Sequence, residues 1–238
     1  MCIPSYNGGS YIEDQVKSIL VQLSDFDEII VSDDSSIDAT IDILRSIDDN
    51  RIVILEGNCF KSPIYNLENA INHSTGEIII LADQDDVWLP GRVTKIVDAL
   101  CKSELVFTNA YIVDKFLNKN GNTIFDVLGP NKSLFGNIIK NSFIGCCIAF
   151  NSTLKLKILP FPHNLPMHDQ WIGLIAKLYH SISFIYEPTL LYRRHGNNTS
   201  NTGEKSTNSF LTKLSFRISI ITSLISRGFK ISFSKKAF

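Results

Sequence analysis

The stretch Glu77-Ile-Ile-Ile-Leu-Ala-Asp-Gln-Asp-Asp-Val-Trp88 decides how the fold is interpreted. Residues 78–81 form a continuous run of isoleucine and leucine, which is typical of a strand covered on both faces. Three carboxylates, Asp83, Asp85 and Asp86, follow at the carboxyl end of that strand, where open α/β sheets bind ligands. Hard divalent cations prefer oxygen ligands and often share them with substrate phosphates. The stretch therefore predicts a metal site and a substrate that carries a diphosphate.

The composition of the whole chain limits the possible functions. Its 238 residues, 44% of them hydrophobic, are enough for one large α/β domain or two small ones. The net charge of −1 provides no overall positive field for nucleic acid, so an anionic ligand must be held locally. The five cysteines are an odd number and include the adjacent pair Cys146 and Cys147. A disulfide framework is therefore not expected, and a reducing, cytoplasmic compartment is favoured.

Helix and strand patterns alternate on both sides of the opening stretch. Ser10 and Glu13 form a capping-box pattern that predicts the start of the first helix. Only three residues precede Pro4, so the first strand is expected to be short. The first helix is predicted over about 11–23, further helices cover about 38–47, 65–73 and 93–102, and strands cover 28–31, 51–55 and 105–109. This alternation is typical of a mainly parallel, Rossmann-like sheet flanked by helices.

The second half of the chain has a less regular pattern. The polar segment 115–131 is predicted to be a surface loop. Beyond it we predict a strand over 144–150, a proline-rich loop over 159–166, a helix from about Asp169 and a strand over 183–186.

Residues 205–238 differ from the rest in composition, because they hold seven basic residues and no acidic one. Apolar residues recur there at helical spacing, which predicts a basic amphipathic helix: Phe210, Leu214, Ile218, Ile221 and Ile225. The apolar stretch is too short to span a bilayer. Two interpretations stay open, since such a helix either contacts a membrane surface or a partner, or packs on the rest of the protein.

Three more polar clusters are expected to gather with the opening carboxylates on one rim of the sheet. Asp33 and Asp34 follow the second predicted strand, His168–Asp169 begins a predicted helix, and Arg193–Asn197 follows a predicted strand. Each cluster has a structural alternative, because Asp and Ser favour turns and helix caps and charged turns are often only solvated. The guanidinium groups are suited to bidentate contacts with a diphosphate, and the imidazole of His195 to a metal.

Four motifs, in this order and spacing, carry a family resemblance: Pro4–Gly8, Val31–Asp38, Ala82–Trp88 and His168–Asp169. Together they resemble glycosyltransferase family 2 enzymes of the GT-A fold, over roughly residues 1–200. The residues at Asp83–Trp88 and Met167–Trp171 most resemble the corresponding motifs of a bacterial rhamnosyltransferase-like group. Enzymes of that group build O-antigen, capsule or other surface polysaccharide. The resemblance implies an α/β GT-A fold that binds a nucleotide-sugar.

The resemblance also implies a nucleotide pocket. Pro4, Tyr6, Asp33 and Asp34 would line it, with an aspartate contacting the base and the loop backbone holding the ribose. Arg194 would contact the diphosphate. Ser35 departs from the family, because a glycine is common there.

The same resemblance implies a metal site and a catalytic base. Asp83 and Asp85 match the family's Asp-x-Asp motif and would contact the ribose and a divalent metal, Mn²⁺ or Mg²⁺. His195 would complete the metal shell. Asp169 would be the general base, although His168 stands where the family usually has Glu.

The implied reaction moves one sugar, with inversion, from a UDP- or dTDP-sugar to a glycan or lipid-linked acceptor at the inner face of the cell membrane. The Gln-x-x-Arg-Trp motif of processive synthases is absent, which favours single transfer. The implied domain is 1–204, with a nucleotide-sugar-binding half (1–109) and an acceptor half (110–204), followed by the tail 205–238.

Two alternatives remain open. One is a truncated, inactive relative that still binds nucleotide. The other is a sugar-phosphate nucleotidyltransferase, which would need a basic residue in a Gly-rich loop that Asn7–Ser10 does not contain.

Overall fold

The computed structural model of the protein describes residues 1–130, 133–163, 165–179, 181–196 and 209–234. The predicted boundary between residues 204 and 205 lies outside these residues, as do Lys205, Lys235 and Lys236. The division of the chain into domains therefore stays a prediction.

The first part of the chain alternates strands with helices, as predicted. Its elements are β1 (Cys2–Ser5), α1 (Ile12–Leu20), β2 (Ile29–Asp33), α2 (Thr40–Ser46), β3 (Ile52–Leu55), α3 (Pro63–His73) and β4 (Ile78–Ile80). The first three strands form a parallel sheet in the order β1-β2-β3. Cys2 makes a parallel bridge to Leu81, so the end of β4 lies on the other side of β1. The carboxyl ends of β1, β2 and β4 therefore meet at one edge.

The second part of the chain adds a mixed sheet. Its elements are β5 (Val87–Trp88), α4 (Arg92–Leu100), β6 (Leu105–Val113), β7 (Lys119–Thr123), α5 (Ile124–Leu128), α6 (Leu134–Ile139), a 3₁₀ turn (Gly145–Cys147), β8 (Ile148–Asn151), α7 (Ser152–Ile158), α8 (His168–Tyr179), β9 (Ile182–Arg193) and α9 (Phe210–Ser234). The strand order is β4-β8-β6-β9-β5, with β7 paired to β6. Of these pairs only β6–β9 is parallel. The predicted α/β fold is confirmed, and its all-parallel sheet, β1-β2-β3, lies in the first half of the chain.

Strand β9 is much longer than the predicted 183–186, and this extension matters for the site. It pairs with β6 along its length, with register shifts around Asn109. Its last part pairs with β5, so that Val87 is opposite Leu191. The acidic loop that precedes β5 is thereby brought beside Arg193 and the residues that follow it.

Two local predictions are wrong. No capping box forms at Ser10, because Tyr11 occupies the N-cap of α1 and no side chain caps that helix. The segment 115–131 is not only a loop, since it contains β7 and α5. The side chain of Asn109 in β6 accepts a hydrogen bond from the backbone of Phe125, and this long-range contact has no signal in the local sequence.

The predicted C-terminal helix exists as α9, but its apolar stripe is not its packing face. Ile220 and Leu224 are buried against the domain. The residues on which the helix was predicted are exposed wherever their side chains are described: Leu214, Ile218, Ile221 and Ile225. Among the described residues, no helix is both long and apolar enough to cross a membrane.

Candidate active site

The acidic loop after β4 is fixed from both sides. At its start, the backbone N–H of Ala82 donates to the carbonyl of Cys2 in β1, at 3.0 Å. At its end, the backbone N–H of Trp88 donates to Oγ of Ser18 in α1, at 2.9 Å. The intervening carboxylates therefore project from a loop whose two ends are attached to the sheet and to the first helix.

The side chain of Gln84 joins this loop to the turn after β1. Its Oε1 accepts from the backbone N–H of Tyr6 at 2.9 Å, and its Nε2 donates to the carbonyl of Tyr6 at 3.1 Å. A Cβ at Gly8 would lie 2.3 Å from Gln84 Oε1, so a larger residue there would displace the Gln84 amide. The sequence alone indicates no role for Gln84, because its partner is 78 residues away.

Asp83 and Asp86 form a cluster with the thiol of Cys146. One potential ligand atom from each of the three lies within 4.8 Å of the others. Burial and the nearby charges of Asp85 and Asp169 raise the pKa of Asp83 to about 7. The pKa of Asp86 is also well above its ordinary value, because the group is buried and lies near Asp85 and Asp83.

Asp85 points to a different partner, the imidazole of His195. The two side chains meet at 2.7 Å, between Nε2 and Oδ2. The ring of His195 also stacks on Tyr11, with centroids 4.7 Å apart. Two of the predicted metal ligands are therefore in direct contact, although 110 residues separate them in the chain.

Arg193 is a structural residue of the site that sequence analysis did not separate from Arg194. It is buried, and its backbone N–H donates to Asp86 Oδ1 at 3.0 Å while its Nε donates to the carbonyl of Asp85 at 2.7 Å. The half-buried Arg194 is fixed by its backbone N–H, which donates to the carbonyl of Val113 at 2.8 Å. Arg193 therefore stabilises the acidic loop through its hydrogen bonds to Asp85 and Asp86.

Asp169 lies in the first turn of α8, next to the acidic cluster. Its carboxylate is buried and accepts from the backbone N–H of Gln170 at 2.6 Å. Burial raises the pKa of Asp169 to about 7, against hydrogen bonds that include one from Asn141. Burial also lowers the pKa of the neighbouring His168 to about 4, so its ring is neutral at physiological pH.

The carboxylates at the end of β2, Asp33 and Asp34, have more hydrogen-bond donors around them. Asp33 is buried and accepts from Ser5 Oγ at 2.8 Å and from both the backbone N–H and Oγ of Ser36, at 2.8 and 2.5 Å. Asp34 accepts from the backbone N–H groups of Phe60 and Ser62, at 2.5 and 3.3 Å. Tyr6 is 56% exposed and Pro4 lies in β1.

The acidic cluster fits a hard divalent cation. Burial disfavours the charged forms of Asp83, Asp86 and Asp169, and mutual repulsion adds to this for the first two. One oxygen of Asp86, Oδ2, is buried without a hydrogen-bond donor in the described part of the chain. The pKa of Cys146 is well above its ordinary value, mainly through its contact with Cys147 and burial, so its thiol is a poor ligand. Carboxylate oxygens are thus the available donors.

Comparison with known proteins extends this description. A family model described as glycosyl transferase family 2 matches residues 1–159. WfgD of Escherichia coli, a UDP-Glc:alpha-D-GlcNAc-diphosphoundecaprenol beta-1,3-glucosyltransferase, is 26% identical over 160 residues, which are 67% of this chain and 62% of WfgD. TuaG of Bacillus subtilis, a putative teichuronic acid biosynthesis glycosyltransferase, is 28% identical over 73% of this chain and 70% of its own.

A rhamnosyl transferase is also among the relatives. RfbG of Shigella flexneri, a dTDP-rhamnosyl transferase, is 23% identical over 82% of this chain and 72% of its own. The predicted resemblance to family 2 enzymes of bacterial surface polysaccharide synthesis is confirmed.

Solved structures share the fold. S. aureus TarS 1-349 in complex with UDP-GlcNAc superimposes with a TM-score of 0.69 at 18% identity, over 92% of this chain and 65% of that one. The mannosyltransferase PcManGT from Pyrobaculum calidifontis, in complex with GDP-Man and Mn²⁺, gives a TM-score of 0.59 at 19% identity, over 84% and 57%. The chain thus spans somewhat less than two thirds of WfgD and of these two structures.

Proposed function

Because the chain belongs to glycosyl transferase family 2 and has the GT-A fold, we propose that it transfers a sugar from a nucleoside diphosphate sugar to a glycan or lipid-linked acceptor. The similarity to WfgD and TuaG supports a role in bacterial surface polysaccharide synthesis. The observation that carries the proposal is the meeting of the partly buried Asp83 with the buried Asp86 and Asp169 beside the carboxyl end of β4. A site of this kind is suited to a cation, a diphosphate and a proton acceptor.

The donor side of the proposed site is the edge formed by β1, β2 and β4. Pro4 and Tyr6 would face the nucleotide, with Asp34 near the base. Asp33 would act by keeping this edge in shape, since its carboxylate is already hydrogen-bonded within the protein. In the proposed division, residues 1–109 bind the donor and residues 110–204 bind the acceptor.

The diphosphate and its cation would lie at the acidic loop. Asp83 and Asp85 would hold Mn²⁺ or Mg²⁺ together with His195, and Arg194 would contact the phosphates. The pairing of Asp85 with His195 supports this assignment, because both would then reach one ion. When bound, a divalent cation stabilises the negative charge that develops on a leaving diphosphate.

Asp169 is the proposed general base. An acceptor hydroxyl is a poor nucleophile, and a positioned carboxylate that takes its proton accelerates attack by roughly a hundred- to ten-thousand-fold. The raised pKa of Asp169, about 7, is close to that of an effective base at neutral pH. A single displacement at the anomeric carbon of the sugar would invert its configuration. One sugar would be transferred in each reaction, at the cytoplasmic face of the membrane, where a lipid-linked acceptor lies.

A donor panel tests the proposal. Purified protein is incubated with UDP-, dTDP- and GDP-sugars and extracted lipid-linked glycans, with Mn²⁺, Mg²⁺ or a chelator, and the released nucleoside diphosphate is measured. We expect metal-dependent release from one donor, and an unchanged rate in the control Asp42→Asn, which alters an exposed carboxylate on α2.

Two other results would contradict the proposal. Nucleotide binding without turnover on any donor would favour the inactive relative. Release of pyrophosphate from a nucleoside triphosphate and a sugar phosphate would favour a nucleotidyltransferase.

A further inference from the structure

Helix α9 has two faces of different character. On its inner face, Arg217 donates to the carbonyl of Ile139 at 3.1 Å, and Arg227 donates to the carbonyls of Lys157 and Leu159 at 2.8 and 2.6 Å. Five apolar side chains form an outer stripe, and each is between 40% and 75% exposed: Leu211, Leu214, Ile218, Ile221 and Ile225. Two of the basic groups, Arg217 and Arg227, thus anchor the helix, while the outer stripe is exposed.

The short helix α6 extends this exposed apolar area. Phe135 and Ile139 of α6 are 75% and 64% exposed. The hydrogen bond from Arg217 to the carbonyl of Ile139 places the end of α6 beside α9. We call the outer stripe together with Phe135 and Ile139 the apolar surface. Exposed apolar areas formed by several adjacent residues mark interaction sites more often than isolated ones do.

The segments that form the apolar surface carry only basic charge, although Glu68 of α3 lies close enough to Arg227 to act on it electrostatically. Residues 133–163 and 209–234, which contain α6, α7 and α9, include no Asp or Glu. They include seven basic residues: Lys140, Lys155, Lys157, Lys213, Arg217, Arg227 and Lys230. Hydrogen bonding to carbonyls leaves the charges of Lys155, Arg217 and Arg227 in place, so this region attracts anions.

We propose that the apolar surface binds an anionic lipid bilayer, with α9 lying in the plane of the membrane and its outer stripe at the boundary of headgroups and acyl chains. Interfacial helices bind through buried apolar area together with attraction to anionic lipid. A second copy of this chain fits less well, because a symmetric contact would bring the two positive regions together.

The position of α6 relates this surface to the candidate site. Gln170, which follows Asp169, donates from its Nε2 to the carbonyl of Asn137 in α6 at 2.6 Å. Membrane binding through the opposite side of α6 would hold the neighbourhood of Asp169 near the bilayer, where a lipid-linked acceptor lies. This advantage rests on the proposed function, whereas the binding itself does not.

Vesicle sedimentation tests the proposal. The full chain is mixed, without donor or metal, with vesicles of phosphatidylcholine alone or of equal parts phosphatidylcholine and phosphatidylglycerol, and the bound fraction is measured. We expect at least about tenfold stronger partition into the anionic vesicles, and a decrease at high salt because screening weakens the attraction.

Variants locate the contact. The triple substitution Ile218→Ser/Ile221→Ser/Ile225→Ser is expected to weaken binding at least about tenfold, since it removes apolar area from the interface. Phe135→Ser/Ile139→Ser on α6 is an independent change with the same expected direction. The control Val21→Ser/Phe26→Ser alters two exposed apolar residues outside these helices and should bind as the original protein does. Circular dichroism of each variant verifies its folding.

Several results would overturn this inference. They are a failure of the original protein to bind anionic vesicles, unchanged binding by both folded variants, or a dimer in sedimentation velocity that the triple variant dissociates. Because Asp169→Asn should bind vesicles normally, a failure of the proposed transfer reaction and a failure of membrane binding are distinguishable.

Discussion

The carboxylates at the two ends of the candidate site differ in whether the protein surrounds them with hydrogen-bond donors or with other carboxylates. On the nucleotide side, Asp33 accepts from three donors of Ser5 and Ser36. In the acidic centre, burial and repulsion raise the pKa values of Asp83 and Asp86. A carboxylate with donors stabilises the fold, whereas a buried carboxylate cluster costs stability and is retained for what it binds. The comparison separates residues that shape the site from residues that act in it.

The largest expected effects come from replacing one aspartate by asparagine in each region, Asp169 in the acidic centre and Asp33 on the nucleotide side. Asp169→Asn should lower transfer by roughly a hundred- to ten-thousand-fold, because the amide cannot accept the proton, while stability stays the same or rises. Asp33→Asn should lower the free energy of unfolding by about 1–3 kcal/mol, because an uncharged amide loses the charge-assisted hydrogen bonds that the carboxylate accepts from Ser5 and Ser36. Product release and urea unfolding of both variants provide the measurements.

The reverse pattern would break the comparison. If Asp169→Asn unfolds the protein and keeps the rate per folded molecule, Asp169 supports α8 and is not the base.

The second largest effect should be the increase in the free energy of unfolding when a cation binds. This increase should depend on the acidic centre and not on the nucleotide side. In the proposed function Mn²⁺ binds the folded protein and not the unfolded chain, so at about a hundred times its dissociation constant it should add about 2.7 kcal/mol to the free energy of unfolding. Asp83→Asn should lose most of this gain, whereas Asp42→Asn should retain it. Thermal unfolding with and without Mn²⁺ measures the effect, and an equal gain in both variants would place the ion elsewhere.

The smallest expected effect concerns Gln84, which joins the two regions. Gly8→Ala would displace the Gln84 amide from Tyr6, and Gln84→Ala removes the same hydrogen bonds. Each substitution should cost about 1 kcal/mol, and the double variant should cost less than their sum, because both remove one interaction. A double-mutant cycle in urea tests this, and strict additivity would show that Gly8 is needed for another reason.

Local sequence was sufficient for much of the fold. The apolar run at 78–81 predicted a buried strand with carboxylates at its end, and the alternation of helices and strands predicted the parallel sheet. It was insufficient where distant residues decide the structure. β7 and α5 formed in a segment predicted as a loop, and β9 continued to Arg193 because β6 and β5 pair with it.

The same limit applied to the candidate site. The sequence singled out Asp83, Asp85, Asp169 and His195, and the structure brings them to one region. Their pairing was not predictable, since Asp85 meets His195 while Asp83 meets Asp86 and Cys146. Contacts across more than a hundred residues depend on strand order, which short motifs do not specify.

By itself, the sequence determined the fold class, the family and the chemical types of the residues at the site. These depend on short-range patterns, because period and spacing dictate which faces are apolar and where carboxylates follow strands. Only the tertiary structure decided which carboxylates accept hydrogen bonds from protein donors and which face of α9 is buried against the domain. A periodic stripe shows that an apolar face exists, but burial depends on the surfaces that the rest of the chain presents to it. In α9, Ile220 and Leu224 pack against the domain and are buried, whereas the more regular outer stripe stays exposed.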